Sequence, residues 1–412
     1  MNITRVHIKV RHFLLLALLA VPAASIAAEF SGRFSMLGAT AQASQGDFGY
    51  LSGNNILSAD QQSLRLMLDE TGNSAEWSIH VKTVRQHLTD IPFNDRHSSD
   101  LFRLSKQSAY WISETEINNS THVGYELDRA VYKKSYRQFS LALGRQPVDW
   151  GSGRFWQPLN VFGAFAPTDL DTDYKPGIDS LKLDWFPSAF SSLSAVYAFA
   201  PTNNPEIKHE NSGAVRYKRQ AGEQSELSLL AGNIVGNTVL GASFESSWSG
   251  MGWRLEGLHT QLAISDENFI FWIAGLDYQF NNGTLLTAEW YDNSRGASQM
   301  SSLANLQTDP LVVYGLQPYL GRNVLGLSLG KDLTPLLRGD YVLLISPLKE
   351  ASNQLNSSVL HQINLTYSVS NESDLLFSLQ FANGRGLDSA LKPQSEFGHL
   401  PASLSVRLRF YF

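Results

Sequence analysis

The 412 residues contain no cysteine, so no disulfide can staple this fold together. Beyond residue 28 no stretch reaches 18 consecutive apolar residues, which excludes a helix that spans a bilayer. Basic residues are in deficit, 32 Lys+Arg against 38 Asp+Glu. No basic stripe offsets the acids, and nucleic acid is excluded as a partner. The ten histidines include His7, His12, His80, His259 and His361, and none stands in a Ser/His/Asp or His/Asp spacing. No nucleophile–base system is legible, so no enzymatic activity, cofactor or resident metal is expected. Linkers of low complexity and solenoid repeats are missing as well, leaving a single folded unit.

The first residues are an address. Met1 to His12 carries Arg5, Lys9 and Arg11 and no acid; Phe13 to Val21 is an apolar run of nine; Pro22 to Ala28 is small and uncharged. Basic head, short apolar core and small-residue exit make a secretory signal peptide over residues 1–28, cleaved after Ala27 or Ala28. Its removal leaves 29 Lys+Arg against 38 Asp+Glu, a formal net charge of −9.

What remains, 29–412, is rich in aromatics, with 9 Trp, 15 Tyr and 22 Phe, and its apolar residues alternate rather than cluster. Leu404, Val406, Leu408, Phe410 and Phe412 occupy one face of a terminal strand; Ser405, Arg407, Arg409 and Tyr411 occupy the other. An exported chain without spanning helices can cross a membrane only as a closed barrel, and such strands run apolar-out, polar-in. The expected fold is an all-β, transmembrane, antiparallel up-and-down β-barrel in the bacterial outer membrane. The terminal strand ending in Phe410 and Phe412 is then the signal read by the barrel-assembly machinery, and outer-membrane lipid and lipopolysaccharide are the surrounding partners.

The same dyad recurs at Leu375–Phe377–Leu379–Phe381, at Ile363–Leu365–Tyr367–Val369, at Ile270–Trp272–Ala274–Leu276–Tyr278–Phe280 and at Leu181–Leu183–Trp185. It blurs through 121–134 and 253–262. Candidate strands are 30–43, 62–70, 74–87, 121–133, 136–148, 178–187, 190–200, 212–220 and 224–235. The series continues at 237–248, 250–262, 268–281, 283–292, 320–332, 336–347, 357–370, 373–383 and 401–412. That is 18 strands, or 16 if a weak hairpin such as 224–248 is misread. With both ends periplasmic, the connections at 70–73, 134–135, 187–189, 221–223, 249, 281–282, 332–335 and 370–372 are all short. The long ones, 44–61, 88–120, 149–177, 293–319 and 384–400, fall on the other side, which is the outer-membrane pattern. The mature start reaches the first strand almost at once, so no plug domain is expected before the barrel.

Residues 144–160 read GRQPVDWGSGRFWQPLN. Gly144, Arg145, Gln146, Trp150, Gly151, Pro158 and Asn160 make this segment resemble outer-membrane porin-like proteins related to alginate-export-type barrels. The resemblance covers about a seventh of the chain and implies an 18-stranded barrel for passage or export. From the residues themselves, Phe139, Leu141 and Leu143 face lipid, and Ser140, Ala142, Gly144 and Gln146 face the lumen. Pro147 cannot donate to a ladder and ends the strand. A loop of 29 residues carrying Trp150, Arg154, Phe155, Trp156, Phe162 and Phe165 is too long and too aromatic for a connector. It is expected to fold into the barrel as a constriction, the alternative being a place in the interfacial aromatic girdle.

Asp169, Asp171 and Asp173 imitate the start of an EF-hand. Tyr174 stands where its glycine belongs and Ser180 where its glutamate belongs, so it is not one; a solvated acidic loop outweighs a looser Ca²⁺ site. The lumen inventory sets Lys182, Arg216, Lys218, Arg254, Arg407 and Arg409 against Asp184, Glu245, Glu256, Asp277 and Glu289. Mixed signs give a transverse field or wall-to-wall ion pairs rather than strong selectivity, and the positive excess that an alginate-type polyanion conduit would want is missing. The expected narrow part is lined by Arg145, Gln146, Trp150, Arg154, Trp156, Asp169, Asp171, Asp173, Lys182 and Asp184. Passage or export of a small or amphipathic solute, alone or with an inner-membrane transporter, is the leading function. The alternative is a non-transporting barrel that binds a surface glycan or assists assembly, with Tyr110 and Trp111 stacking on sugars.

Overall fold

The computed structural model describes residues 28–47, 49–50, 55–88, 112–118, 120–163, 167, 170–200, 210–263, 265, 267–307, 309, 312 and 317–412. The signal segment up to Ala27 lies outside the described residues, as do Tyr110, Trp111, Phe165 and Asp169.

The strands are β1 (Glu29–Gln42), β2 (Ile56–Thr71), β3 (Ala75–Leu88), β4 (Ile112–Asn118), β5 (Thr121–Tyr136), β6 (Phe139–Gln146), β7 (Ile178–Ser188), β8 (Ser191–Ala198), β9 (Ser212–Gln220) and β10 (Ser225–Ile234). They continue as β11 (Asn237–Trp248), β12 (Met251–Gln261), β13 (Asn268–Gln279), β14 (Leu285–Asn293), β15 (Asn323–Thr334), β16 (Leu337–Lys349), β17 (Leu355–Ser370), β18 (Ser373–Asn383) and β19 (Ala402–Tyr411). A short helix α1, Met300–Leu306, lies between β14 and β15. Every neighbouring pair is antiparallel, β3 pairs directly with β5, and β19 returns to β1. Eighteen strands therefore close the ring, and β4 rides on the upper half of β5, where β6 is too short to reach.

Closure is built at β1 and β19. Ten residue pairs run from Arg33↔Tyr411 to Gln42↔Ala402. Gly32 and Phe412 exchange two backbone hydrogen bonds, of 2.7 and 3.0 Å. The Phe412 ring fills the space above Gly32, where a Cβ would come within 2.2 Å of Cζ, and leans toward Phe30 at 6.5 Å. Closure leaves no unpaired edge in the ring, the condition for a sheet to sit in lipid.

The outward rows form a continuous apolar belt. Phe34, Leu66, Leu143, Leu183, Leu229, Leu255, Ile270, Leu365, Phe377 and Leu408 are all exposed, while the residues between them on each strand point inward. Leaving one such side chain in water costs about 1.5–3 kcal/mol, so only a hydrocarbon surrounding makes the belt favourable. Aromatics crowd the short-turn end, with Trp248 73% and Phe190 64% exposed, matching an interfacial girdle.

Several boundaries differ from expectation. β2 begins at Ile56 rather than at 62, because its upper outward positions are polar: Asp60 and Gln62 bind Arg85 of β3 at 2.8 and 3.0 Å. β5 runs to Tyr136 and turns at 137–138. The expected turn at 134–135 mistook Lys134, an outward lysine between Tyr132 and Tyr136, for turn chemistry; such a stem can lie along apolar surface with its amine at the interface. The region 224–248, the weakest hairpin by pattern, is a regular one. The loops expected at 88–120 and 293–319 contain β4 and α1.

At the loop end, 384–401 is clasped to its neighbours. Leu387 N donates to Gly46 O at 2.7 Å, and the buried Glu396 carboxyl accepts from Leu320 N at 3.1 Å and Gly321 N at 2.6 Å. Burial pushes Glu396 up to about 7, the two amides opposing only in part. A carboxyl whose folded value lies above its unfolded one stabilises most below about pH 4.5 and loses that contribution as pH rises through 7. The thermal midpoint of the folded barrel is therefore expected to fall between pH 5 and 8. Glu396→Gln should flatten that slope; an unchanged slope in the variant would assign the effect elsewhere.

Candidate functional site

After β6 the chain leaves the wall and rejoins it only at Ile178. Pro147 ends the ladder, and Gly144 sets the exit. Its φ is +122°, and a Cβ there would lie 2.0 Å from Ala130 O, so only glycine fits. Strict alternation would place Arg145 on the lipid face with Phe139, Leu141 and Leu143. The kink at Gly144 instead turns it into the wall, where it is 1% exposed, with its guanidinium 3.3 Å from Asp179 and 3.6 Å from Glu126. The Gln146 amide donates to Ala142 O and Ser180 O, both at 3.3 Å.

The described part of the loop then follows the inner wall. Val148, Trp150, Leu159 and Phe162 pack on Ile178, Val196, Ala214, Leu230, Val239 and Leu258 of β7 to β12. Trp150 stands edge-on to Phe162 at 5.3 Å, and its carbonyl accepts from Arg216 at 3.0 Å. Gly241 makes room for Leu159, whose Cδ2 would lie 2.3 Å from a Cβ. Phe155 and Trp156 enter a second patch formed by Ile273, Tyr291, Val324, Leu344, Leu360 and Phe397.

Two buried carboxylates of the wall hold this turn. Glu256 of β12 accepts from Ser152 N, Ser152 Oγ and Leu159 N, each at 2.6 Å. Glu289 of β14 accepts from Arg154 N at 2.9 Å, Phe155 N at 3.2 Å and Trp156 N at 2.9 Å. Consecutive amides converging on an anion form a nest, here closed around the protein's own side chain. Gly153 makes the curl possible, since a Cβ would meet Trp156 O at 1.7 Å. Hydrogen bonds to a charged acceptor are each worth about 1.5–3 kcal/mol, so this half of the loop is held firmly.

The returning half crosses to the opposite wall. Arg33 of β1 grips Asp171 with both nitrogens at 2.7 Å and Asp173 at 2.8 Å. Asp173 also accepts from Arg409 and from the Tyr411 hydroxyl, both at 2.5 Å. The Tyr174 ring lies 4.4 Å from Arg65, 5.0 Å from Arg33 and 6.0 Å from Arg129. Gly177 N donates to Asp128, which pairs with Arg65. Burial would raise the Asp171 and Asp173 carboxyls, but Arg33 outweighs it for the first, and Tyr411, Arg409 and Arg33 for the second; both stay below the usual carboxylate range. Their side chains remain 38% and 26% exposed, against 3% for Arg33. The acids are thus open to water on one side while the guanidinium is not, so this half is held by side-chain contacts that solvent can reach from the acid side.

Of the residues expected at a narrow part, Arg145, Gln146, Trp150 and Trp156 are buried against the wall. Arg154 is 64% exposed along its side chain and reaches Asp277 at 3.4 Å. With Lys218, Glu226, Glu245, Arg254 and Asp277 it borders a cavity of 470 Å³ toward the short-turn end. Lys182 and Asp184 form a local pair at 3.1 Å on β7, Asp184 also accepting from Ser194 at 2.6 Å.

Arg33, Arg65, Asp128 and Arg129 are absent from the inward inventory drawn from sequence. Arg33 and Arg65 were legible from the apolar rows around them, Phe34 and Met36, Leu64 and Leu66. Asp128 and Arg129 were not. β5 carries an extra residue here, with His80 paired to Arg129 and Val81 to Leu127, and this bulge aims both side chains inward. Arg33 and Arg65 stand directly opposite each other, an arrangement that destabilises a ladder unless anions intervene.

Glu289→Ala would orphan three amides, at about 1–3 kcal/mol each where they stay buried. Its single-channel conductance in planar bilayers is expected to be larger and noisier than wild type. An unaltered trace would mean that the apolar patches alone hold the turn.

No protein-family profile and no curated protein sequence matches the chain. Solved structures do, over nearly its whole length. OccAB4 of Acinetobacter baumannii shares 10% identity at a TM-score of 0.57, with 93% of this chain and 97% of that one covered. OccK9 (OpdG) of Pseudomonas aeruginosa gives 10% and 0.57, with 94% and 98% covered. OccK2 (OpdF) of the same organism, solved with glucuronate, gives 10% and 0.56, with 94% and 96% covered. The likeness to alginate-export-type barrels rests on the 144–160 motif alone and gains no support here. At such identities the similarity is one of fold, and the fold is that of Occ-type outer-membrane porins.

Proposed function

We propose that this chain is an outer-membrane channel for small solutes that carry a carboxylate, with loop 147–177 as its constriction. The observation that carries this reading is the wall formed by β19, β1, β2 and β5. There Arg33, Arg65, Arg129, Arg407 and Arg409 converge, with Asp128 and Asp374 of the strands and Asp171 and Asp173 of the loop beside them. Guanidinium forks match carboxylates in shape and charge. The Arg407 side chain is 5% exposed, and its Nε and Nη1 have no hydrogen-bond partner among the described residues. Across the barrel, β10, β11 and β13 present Glu226, Glu245 and Asp277, with Lys218, Arg154 and Arg254 paired to them and Glu256 and Glu289 buried under the loop. Walls of mixed sign set a transverse field, and the arginine side offers an anionic group its guanidinium forks.

This sharpens the small or amphipathic solute expected from sequence to one with an anionic end. The glucuronate of the OccK2 structure belongs to that chemical class and makes a suitable probe. In proteoliposomes the wild-type protein is expected to admit glucuronate several-fold faster than glucose, which is similar in size but neutral. Replacing Arg65 and Arg129 together by alanine should reduce that preference toward unity. A wild-type protein that passes neither sugar, or prefers glucose, would sink the proposal.

A further inference from the structure

The arginine wall is already occupied by carboxylates of this chain. Asp171 sits in the fork of Arg33 through two bonds of 2.7 Å, the arrangement a free carboxylate would adopt there. Asp173 takes donors from Arg33, Arg409 and Tyr411. Tyr174 lies between Arg33 and Arg65.

The loop's two halves differ in how they can be released. The turn at 152–159 is locked by Glu256 and Glu289, whose side chains are shut away from water and which receive backbone amides. The strap at 170–174 is held by side-chain ion pairs whose acid partners face solvent. Water reaches the acid side of the second kind of contact and neither side of the first. A carboxylate entering the lumen meets the strap's own carboxylates as competitors for the same donors.

We propose that Asp171 and Asp173 are the specificity-determining residues of the channel, acting as a built-in competitor that a carboxylate-bearing solute displaces on its way through. This rests on the channel reading above and adds a selection step to it. A solute lacking a carboxylate cannot replace the strap on Arg33 and Arg409, so the strap stays in place and the passage stays narrow. A solute with one exchanges carboxylate for carboxylate, and the strap moves aside while the turn at 152–159 stays anchored. Selectivity then comes from exchange at occupied arginines, and removing the competing charge should abolish it.

The full-length protein with Asp171→Asn and Asp173→Asn together keeps the shape of the strap and loses its charge. In proteoliposomes its glucose permeation is expected to rise several-fold, toward its glucuronate rate. In the wild type, added glucuronate should raise glucose permeation; in the double variant it should not. Asp171→Glu with Asp173→Glu, which restores the charge, should return the preference for glucuronate. A double variant with the wild-type glucose rate and preference overturns the exchange step and leaves the channel reading standing. Wild-type protein that passes neither sugar overturns both. Should the asparagine variant fail to assemble, the wild-type titration decides alone: glucuronate that only inhibits glucose permeation overturns the exchange step, and glucuronate that enhances it supports it.

Discussion

Two buried glutamates carry the interior of this barrel. Glu256 and Glu289 are charged groups on an inner wall, and each would be costly to bury alone. Each instead collects amides from residues 152–159, amides that would be costly in their turn if hidden without partners. The loop cannot leave without orphaning both sets. An excursion that could have trailed across the rim is thereby drawn into the barrel, its aromatics against patches that the strands would otherwise turn toward water.

That anchoring explains where alternation fails. Around 253–262 the inward positions include Glu256 and Leu258 together, because the loop needs a carboxylate for its amides and an apolar floor for Leu159. Ile273, Tyr291, Val324, Leu344 and Leu360 are likewise inward and apolar because Phe155 and Trp156 lie on them. Around 121–134 the cause is different: the extra residue at Asp128 shifts β5 out of phase and delivers an acid and an arginine to the same face. A strand whose two faces meet lipid and a packed loop, or whose phase changes midway, has no period-2 pattern to read.

The arginine wall depends on closure. Arg33, Arg407 and Arg409 come from the first and last strands, and they share a surface only because β19 returns to β1 and Phe412 closes over Gly32. Asp171 and Asp173, which resemble a truncated cation loop in sequence, serve these guanidinium groups. The same contacts explain how Arg33 and Arg65 can stand opposite each other across the ladder.

By itself the sequence determined the architecture: lack of disulfides, strands of alternating character, and turns sorted by length onto two ends. These are local properties, since the side of a strand that meets lipid is written into every second residue. Strand number was nearly determined too, because each hairpin is a local event, and the misplaced edges at Asp60 and Lys134 came from polar residues at the rims of the belt. Which inward residues act together was decided only by tertiary structure. The partnerships of Arg33 with Asp171, of Arg409 with Asp173, and of Glu289 with the Arg154–Trp156 amides link positions more than a hundred residues apart. They follow from barrel closure, from a bulge and from a glycine at positive φ, none of which an alternation of apolar and polar residues encodes.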